Sequence, residues 1–220
     1  PSGTGLGSSG AFGVGVLHAL YALDGTWPTP ELLAREASDI QMGELGWPVG
    51  LQDQYIAAYG GLRLFEVDRE GRVTQREFKM AGDPREFERR LVFFWTGQRR
   101  DANQILAHQV ASDLDETLAK PAEIGHQMIE ALSLGKFDDY GELLNLHWQE
   151  KKKRHPEMSN EQINSWYDVA MKNGAIGGKL IGAGGGGFLM FMTRQPEKLA
   201  RAMLLKRADF KFERTGSMMI

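Results

Sequence analysis

The sequence predicts an α+β chain in two domains, and three observations carry that reading. Segments with helical periodicity and segments with strand patterning follow one another without strict strand–helix–strand alternation. A break at Ala81-Gly82-Asp83-Pro84 divides an N-terminal part, 1–82, from a C-terminal part, 83–220. Glycine is in excess: 27 of 220 residues, against the roughly 15 that ordinary usage would give. Many of these glycines sit in three clusters that abut apolar, regular sequence, which a flexible linker would not do.

The elements follow in order. Ala11–Leu23 spaces Val14, Leu17, Leu20 and Tyr21 in threes and fours and reads as a buried helix. Thr29-Pro30-Glu31 supplies an N-cap, a proline at the first helical position and an acidic first turn. Leu33, Ala37 and Ile40 form that helix's apolar stripe, and Trp47-Pro48 closes it. Residues 54–61 are small and aromatic. Leu62–Val67 alternates apolar and polar, Asp68–Gly71 is a turn, and Val73–Phe78 is the partner strand of a hairpin. Beyond the break, Arg90–Trp95 has the length and composition of a buried strand. Helices are expected at about 101–112, 121–134 and 138–153. Ser159 with Gln162 has the form of a capping box, opening a helix that stops at Asn173-Gly174. Phe188–Met192 reads as a strand, Pro196–Leu205 as a helix, and Phe210–Ile220 as a final strand region.

Composition narrows the function classes. A hydrophobic share of 42% with 25% charged residues describes a globular chain with a sizeable core. A net charge of −3 leaves no basic footprint for nucleic acid. Without cysteine there is no disulfide framework, iron–sulfur ligation or thiolate chemistry. No apolar run approaches the roughly 18 residues of a membrane span, and no signal peptide is present. A cytoplasmic protein is therefore expected. The sequence opens at Pro1 inside a glycine-rich motif, so further chain is expected upstream.

The first cluster, Pro1–Gly10, has chemistry of its own. Gly3, Gly5 and Gly7 allow close backbone approach to a ligand, and the loop runs into an apolar helix whose N-terminus attracts anions. Ser8 and Ser9 stand at that entry, able to cap the helix or to coordinate Mg²⁺ beside a phosphate. A P-loop is excluded because the motif has no lysine, and the G-x-G-x-G spacing departs from the dinucleotide fingerprint. Two readings remain: a polyphosphate cradle, or a tight turn that caps a helix.

Pro1-Ser-Gly-Thr-Gly-Leu-Gly-Ser-Ser9 resembles the ATP-binding signature of the GHMP kinases, the family of galactokinase, homoserine kinase, mevalonate kinase and phosphomevalonate kinase. Ile181-Gly-Ala-Gly-Gly-Gly-Gly-Phe188 resembles that family's C-terminal glycine motif. Pro48-Val-Gly-Leu-Gln-Asp53-Gln54 resembles the segment that carries its active-site aspartate. Three motifs in the right order are far more specific than any one. Gln52–Gly61, Glu142–Trp148 with Lys151–Lys153, and Gly174–Gly182 are similar to family members acting on a heptose 7-phosphate, so the resemblance spans nearly the whole chain.

The resemblance implies the two-domain GHMP kinase fold, with a ribosomal protein S5 domain 2-like N-terminal part (1–82) and an α/β C-terminal domain (83–220). It implies ATP and Mg²⁺, and phosphoryl transfer to the anomeric hydroxyl of D-glycero-D-manno-heptose 7-phosphate. Carried over residue by residue, Gly3, Gly5, Leu6, Gly7, Ser8, Ser9, Gly184, Gly185 and Gly186 bind the nucleotide. Ser9 is also the implied Mg²⁺ ligand. Asp53 accepts the sugar hydroxyl's proton or holds that hydroxyl in line. The basic run Lys151–Arg154, Lys152 and Lys153 above all, recognises the distal phosphate or simply places cations at a helix C-terminus, and Arg99 and Arg100 are rival phosphate clamps, Arg100 the favoured one. The family's Mg²⁺-binding glutamate falls on Gln41, which offers an amide oxygen without charge, and Glu44 lies one turn away. Gly10 replaces the usual small Ser or Ala. The partners are thus ATP and a small sugar phosphate, with no nucleic acid or membrane, in a monomer or homodimer. Two other readings stand beside this one: a family kinase for another sugar such as fucose or galactose, and a nucleotide-binding protein without catalysis, suggested by Gln41.

Overall fold

The computed structural model describes residues 4–68, 70–99 and 114–219, with side chains in the last span from 119 onward. Gly3, Arg100 and the helix expected at about 101–112 lie outside these residues. The described chain forms two compact units, one of residues 7–79 with 212–219 and one of residues 4–6 with 80–211. Among the described residues no helix is long and apolar enough to cross a membrane.

In the first unit, helix α1 (Ser8–Leu23) packs with α2 (Pro30–Ser38) and α3 (Gln52–Tyr59) around Val14, Leu33, Ala34, Ala37, Tyr55 and Ala58. The expectation of a buried α1 is corrected. Val14 and His18 face inward, whereas Phe12 is 74% and Leu20 55% exposed. The helix is apolar around much of its circumference, so spacing alone did not single out the inner face. His18 Nδ1 lies 2.8 Å from Ser217 Oγ.

Helix α2 starts as its sequence dictates. Thr29 Oγ1 accepts from Leu32 N at 3.2 Å and proline occupies the first turn. The helix then widens into a π-helical turn, Asp39–Glu44. The wider turn carries the chain on by one residue, so Gln41 faces inward at 4% exposure and Ile40 faces outward. Strands β1 (Arg63–Val67) and β2 (Val73–Glu77) form the expected antiparallel hairpin, with Arg63 opposite Glu77 and Val67 opposite Val73. Asp68 Oδ1 closes its turn by accepting from Arg72 N at 2.8 Å. Tyr55 and Tyr59 stack at 6.4 Å and both donate to Glu31, at 3.1 and 2.8 Å.

The second unit is built on a four-stranded antiparallel sheet in the order β4-β5-β3-β6, with β3 Leu91–Trp95, β4 Ala175–Leu180, β5 Phe188–Thr193 and β6 Lys206–Ala208. A short helix, α4 (Pro84–Arg90), precedes β3, with Asp83 accepting from Arg85 N at 2.9 Å as its cap. Helices α5 (Leu114–Ser133), α6 (Phe137–Arg154), α7 (Glu161–Lys172) and α8 (Pro196–Met203) complete it. Phe94, Trp148, Ile163, Leu180, Leu189, Phe191 and Leu199 are the centre of its core.

Three expectations are corrected here. Asn160, not Ser159, caps α7, accepting from Ile163 N at 2.9 Å, while the Ser159 hydroxyl donates to Asn164. The final strand is Lys206–Ala208, and 212–219 runs without regular structure. Strand β4 was not expected, because Gly177 and Gly178 lack strand propensity. Tertiary packing decides it: a side chain at Gly177 would run into the Gly141 carbonyl of α6.

Candidate phosphoryl-transfer site

The loop entering α1 is shaped by its glycines. Gly7 caps the helix at φ 68° with no side-chain cap bond, and the first turn carries no acidic residue. A non-glycine residue pays for that left-handed backbone. The positive end of α1 thus has no carboxylate of its own, which suits an anionic ligand. Ser9 is exposed and Ser8 partly so.

Asp53 stands against this helix start. A Cβ at Gly7 would lie 3.0 Å from Asp53 Cγ. One at Gly10 would lie 2.8 Å from Asp53 Cβ and 2.9 Å from its carbonyl carbon. Gly10 is therefore required, because α1 and α3 touch through backbone. Asp53 itself lies in the first turn of α3. Burial pushes its carboxyl above the usual carboxylate range, while the nearby helix N-termini favour its ionised form.

Gln41 lies in the same cluster. Its Nε2 donates to Ser9 O at 2.9 Å, and its amide meets that of Gln54 at 2.7 Å. A Cβ at Gly13 would come within 2.9 Å of that Nε2. Both ends of the Gln41 amide are thus engaged by protein. Among the described residues no group of three or more His, Cys, Asp or Glu could hold a metal. The donor set suits Mg²⁺ carried by nucleotide phosphates and a serine hydroxyl, and does not suit a protein-built cage. Glu44, expected as a stand-in ligand, is exposed at the end of the π-helical turn.

In the second unit the other glycine loop folds onto residues 4–6. A side chain at Gly187 would run into the Thr4 carbonyl. Gly184 is pressed against Met158, and a Cβ at Gly186 would lie 2.8 Å from Gln98 O. Gly185 N donates to Met158 O at 3.1 Å and Gly187 N to Gln98 O at 3.0 Å. The start of the first motif and the third motif therefore meet, and backbone packing demands the glycines. A cavity of about 420 Å³ lies elsewhere in this unit, under α5 and α6. A larger one of about 720 Å³ is lined by Thr4, Trp95, Arg99, Phe188, Lys206 and Arg207.

The basic run at the end of α6 is divided in role. Lys152 Nζ lies 5.8 Å over the Trp148 ring, and Lys153 pairs with Glu150 at 2.8 Å. Lys151 turns the other way and donates to Gly182 O. His147 and Lys179, which sequence reasoning passed over, lie near Lys151 and Arg154. The i, i+4, i+7 spacing of His147, Lys151 and Arg154 was the available signal.

A glycine-capped helix start held against the Asp53 carboxylate is the geometry of a phosphoryl-transfer site. The family model for the GHMP kinases N terminal domain matches residues 1–61, and that for the GHMP kinases C terminal region matches 128–207. The chain is 33% identical to the D-glycero-alpha-D-manno-heptose 7-phosphate kinase of Campylobacter jejuni over 98% of its own length and 67% of that enzyme's. It belongs to the GHMP kinases. The crystal structure of a D-glycero-D-manno-heptose 1-phosphate kinase from Bacteroides thetaiotaomicron superposes with a TM-score of 0.75 at 27% identity, covering 98% of this chain and 63% of that one. A bifunctional fucokinase/GDP-fucose pyrophosphorylase of Arabidopsis thaliana is 27% identical over 96% of this chain and 21% of that protein. The chain thus spans about two thirds of its heptose kinase relatives.

Proposed function

We propose that this chain carries the ATP-dependent phosphorylation of D-glycero-D-manno-heptose 7-phosphate at its anomeric hydroxyl, giving the 1,7-bisphosphate and ADP in the cytoplasm. The single observation that carries the mechanism is Asp53 held against the start of α1 at Gly7 and Gly10. The γ-phosphoryl group would lie at that helix start, at Gly7 and Ser8, and Gly5, Leu6 and Gly184–Gly186 would be further nucleotide-binding residues. Ser9 would hold Mg²⁺ carried with ATP, which would supply charge neutralisation. The sugar O1 attacks the γ-phosphorus, its proton passes to an Asp53 oxygen, and the bond to the ADP oxygen breaks. A raised carboxyl pKa makes Asp53 a better proton acceptor than an unperturbed aspartate. In this reading residues 1–82 belong to the nucleotide-binding domain and 83–220 form the C-terminal domain.

The test is Mg²⁺-dependent ADP release with heptose 7-phosphate, heptose, fucose, galactose and their phosphates as acceptors. Turnover confined to heptose 7-phosphate is expected. Preference for fucose or galactose would overturn the substrate, and full turnover in Asp53→Ala would overturn the role of Asp53. One observation favours nucleotide binding without catalysis: the Gln41 amide is engaged by Ser9 O and Gln54. ATP binding without turnover on any acceptor would support that reading.

A further inference from the structure

Helix α6 carries His147, Lys151 and Arg154 at i, i+4 and i+7, on one helical face. Two cations on one face, Lys151 and Arg154, repel each other and weaken the helix unless something offsets them. Helix α6 packs on β4, and Lys179 of β4 adds a third. Lys151 donates to Gly182 O just beyond that strand, which fixes its ammonium beside the entry to the glycine loop.

No carboxylate answers Arg154 or Lys179 among the described ion pairs. Glu150, on the same helix as Arg154, is committed to Lys120 and Lys153 on another face. Asp138, at the start of the helix, is taken by Arg90 and Arg194. His147 Nδ1 and Arg154 Nε are buried and meet no hydrogen-bond partner among the described residues. Native proteins seldom bury such donors without a use for them. The electrostatics agree. Burial and the cations Lys179, Lys151 and Arg154 hold His147 down at about 4. Burial and Arg154 push Lys179 down to about 8. Every charged group that perturbs either residue is a cation. A guanidinium, two ammonium groups and an imidazole, converging with unused donors, match a phosphate monoester dianion in charge and number of donors.

We propose that His147, Lys151, Arg154 and Lys179 form a phosphate-binding subsite that holds the non-reacting phosphate of the sugar-phosphate acceptor. The proposal deepens the kinase reading and rests on it for the identity of the sugar. The anion site itself stands on the cluster. Within the basic run that ends α6 it selects Lys151 and Arg154, and leaves Lys152 over Trp148 and Lys153 on Glu150.

The test is calorimetric binding, without turnover, to the full chain and to Lys179→Met and Arg154→Gln. The probes are heptose 7-phosphate, unphosphorylated heptose, inorganic phosphate and a non-hydrolysable ATP analogue. Loss of a charge-assisted pair should weaken heptose 7-phosphate at least about tenfold. Heptose and the ATP analogue should bind the variants as they bind the wild type. Inorganic phosphate should raise the wild-type melting temperature and leave the variants unmoved. Without phosphate the variants should melt no lower than the wild type, since each loses a repelled cation; a merely structural role would lower them. Unchanged heptose 7-phosphate affinity, or a loss confined to the ATP analogue, overturns the proposal. Tight, Lys179-dependent binding of heptose 7-phosphate without any turnover upholds the subsite and fails the kinase reading alone.

Discussion

Replacing Gln41 by glutamate tests the geometry at the start of α1 most directly. The family resemblance makes Gln41→Glu look like a restoration, but this structure makes it a disruption. The Gln41 Nε2 donates to Ser9 O at 2.9 Å from a side chain only 4% exposed. A carboxylate there loses the donor and sets two acceptors against each other. A buried group left without its partner costs about 1–3 kcal/mol. For a chain of this length each kcal/mol lowers the melting temperature by roughly 2–4 °C, so the fall should be about 2–12 °C. The penalty should also depend on pH. Burial raises the carboxyl's folded-state pKa, so its contribution to stability is present below the unfolded value near 4.3 and is lost as pH rises through the folded value. Once protonated, the acid can donate to Ser9 O again. Differential scanning fluorimetry from pH 5 to 8 should show the variant approaching the wild type at the acid end, whereas Gln41→Met shows a loss independent of pH. A Gln41→Glu chain that melts with the wild type at pH 8 would refute the bridge.

Asp53→Asn should abolish turnover while melting no lower than the wild type at neutral pH, since it removes a carboxylate whose pKa burial has raised; thermal melting and ADP release read the two effects. For the same reason the wild-type acid limb of kcat/KM should lie above the ordinary aspartate value near 3.9, and should vanish as pH falls through it. Gly10→Ala should cost about 1–3 kcal/mol by overpacking α1 on the α3 backbone, seen as a lower denaturation midpoint with an unchanged m-value. Gly177→Ala should be worse, because the new methyl would run into the Gly141 carbonyl oxygen far more closely than the Gly10 methyl approaches α3; its soluble yield and melting point would show this.

Legibility in the sequence followed local signals. The Thr29 cap, the 63–77 hairpin and strand β5 rest on capping, turn chemistry and alternation, and they lie where those signals put them. Helix α3 carries no clean apolar stripe, since Tyr55 and Ala58 are buried while Ile56 is exposed. Strand β4 depends on α6 and β5 covering its two glycines, which no window of sequence reveals. At the site, Asp53 and the glycine loops were readable because their residue types are restrictive. The engagement of Gln41 was not, because Ser9 and Gln54 reach it from other elements. The face shared by His147, Lys151 and Arg154 was present as spacing, but Lys179 joins it only through the packing of α6 on β4.

Residues 212–219 belong to the same unit as 7–79, held by Gly61 N donating to Glu213 O at 2.9 Å and by Ser217 at His18. This sets an order of assembly during synthesis. The helices around Val14 emerge from the ribosome before residues 80–211, yet the segment 212–219 that packs on them is made only after those residues, a delay on the order of ten seconds at ordinary translation rates. The later-made unit can close before the earlier one does. A released chain ending at residue 211 should therefore carry a protected β3–β5 sheet beside protease-sensitive helices, reversing the usual N-to-C progression.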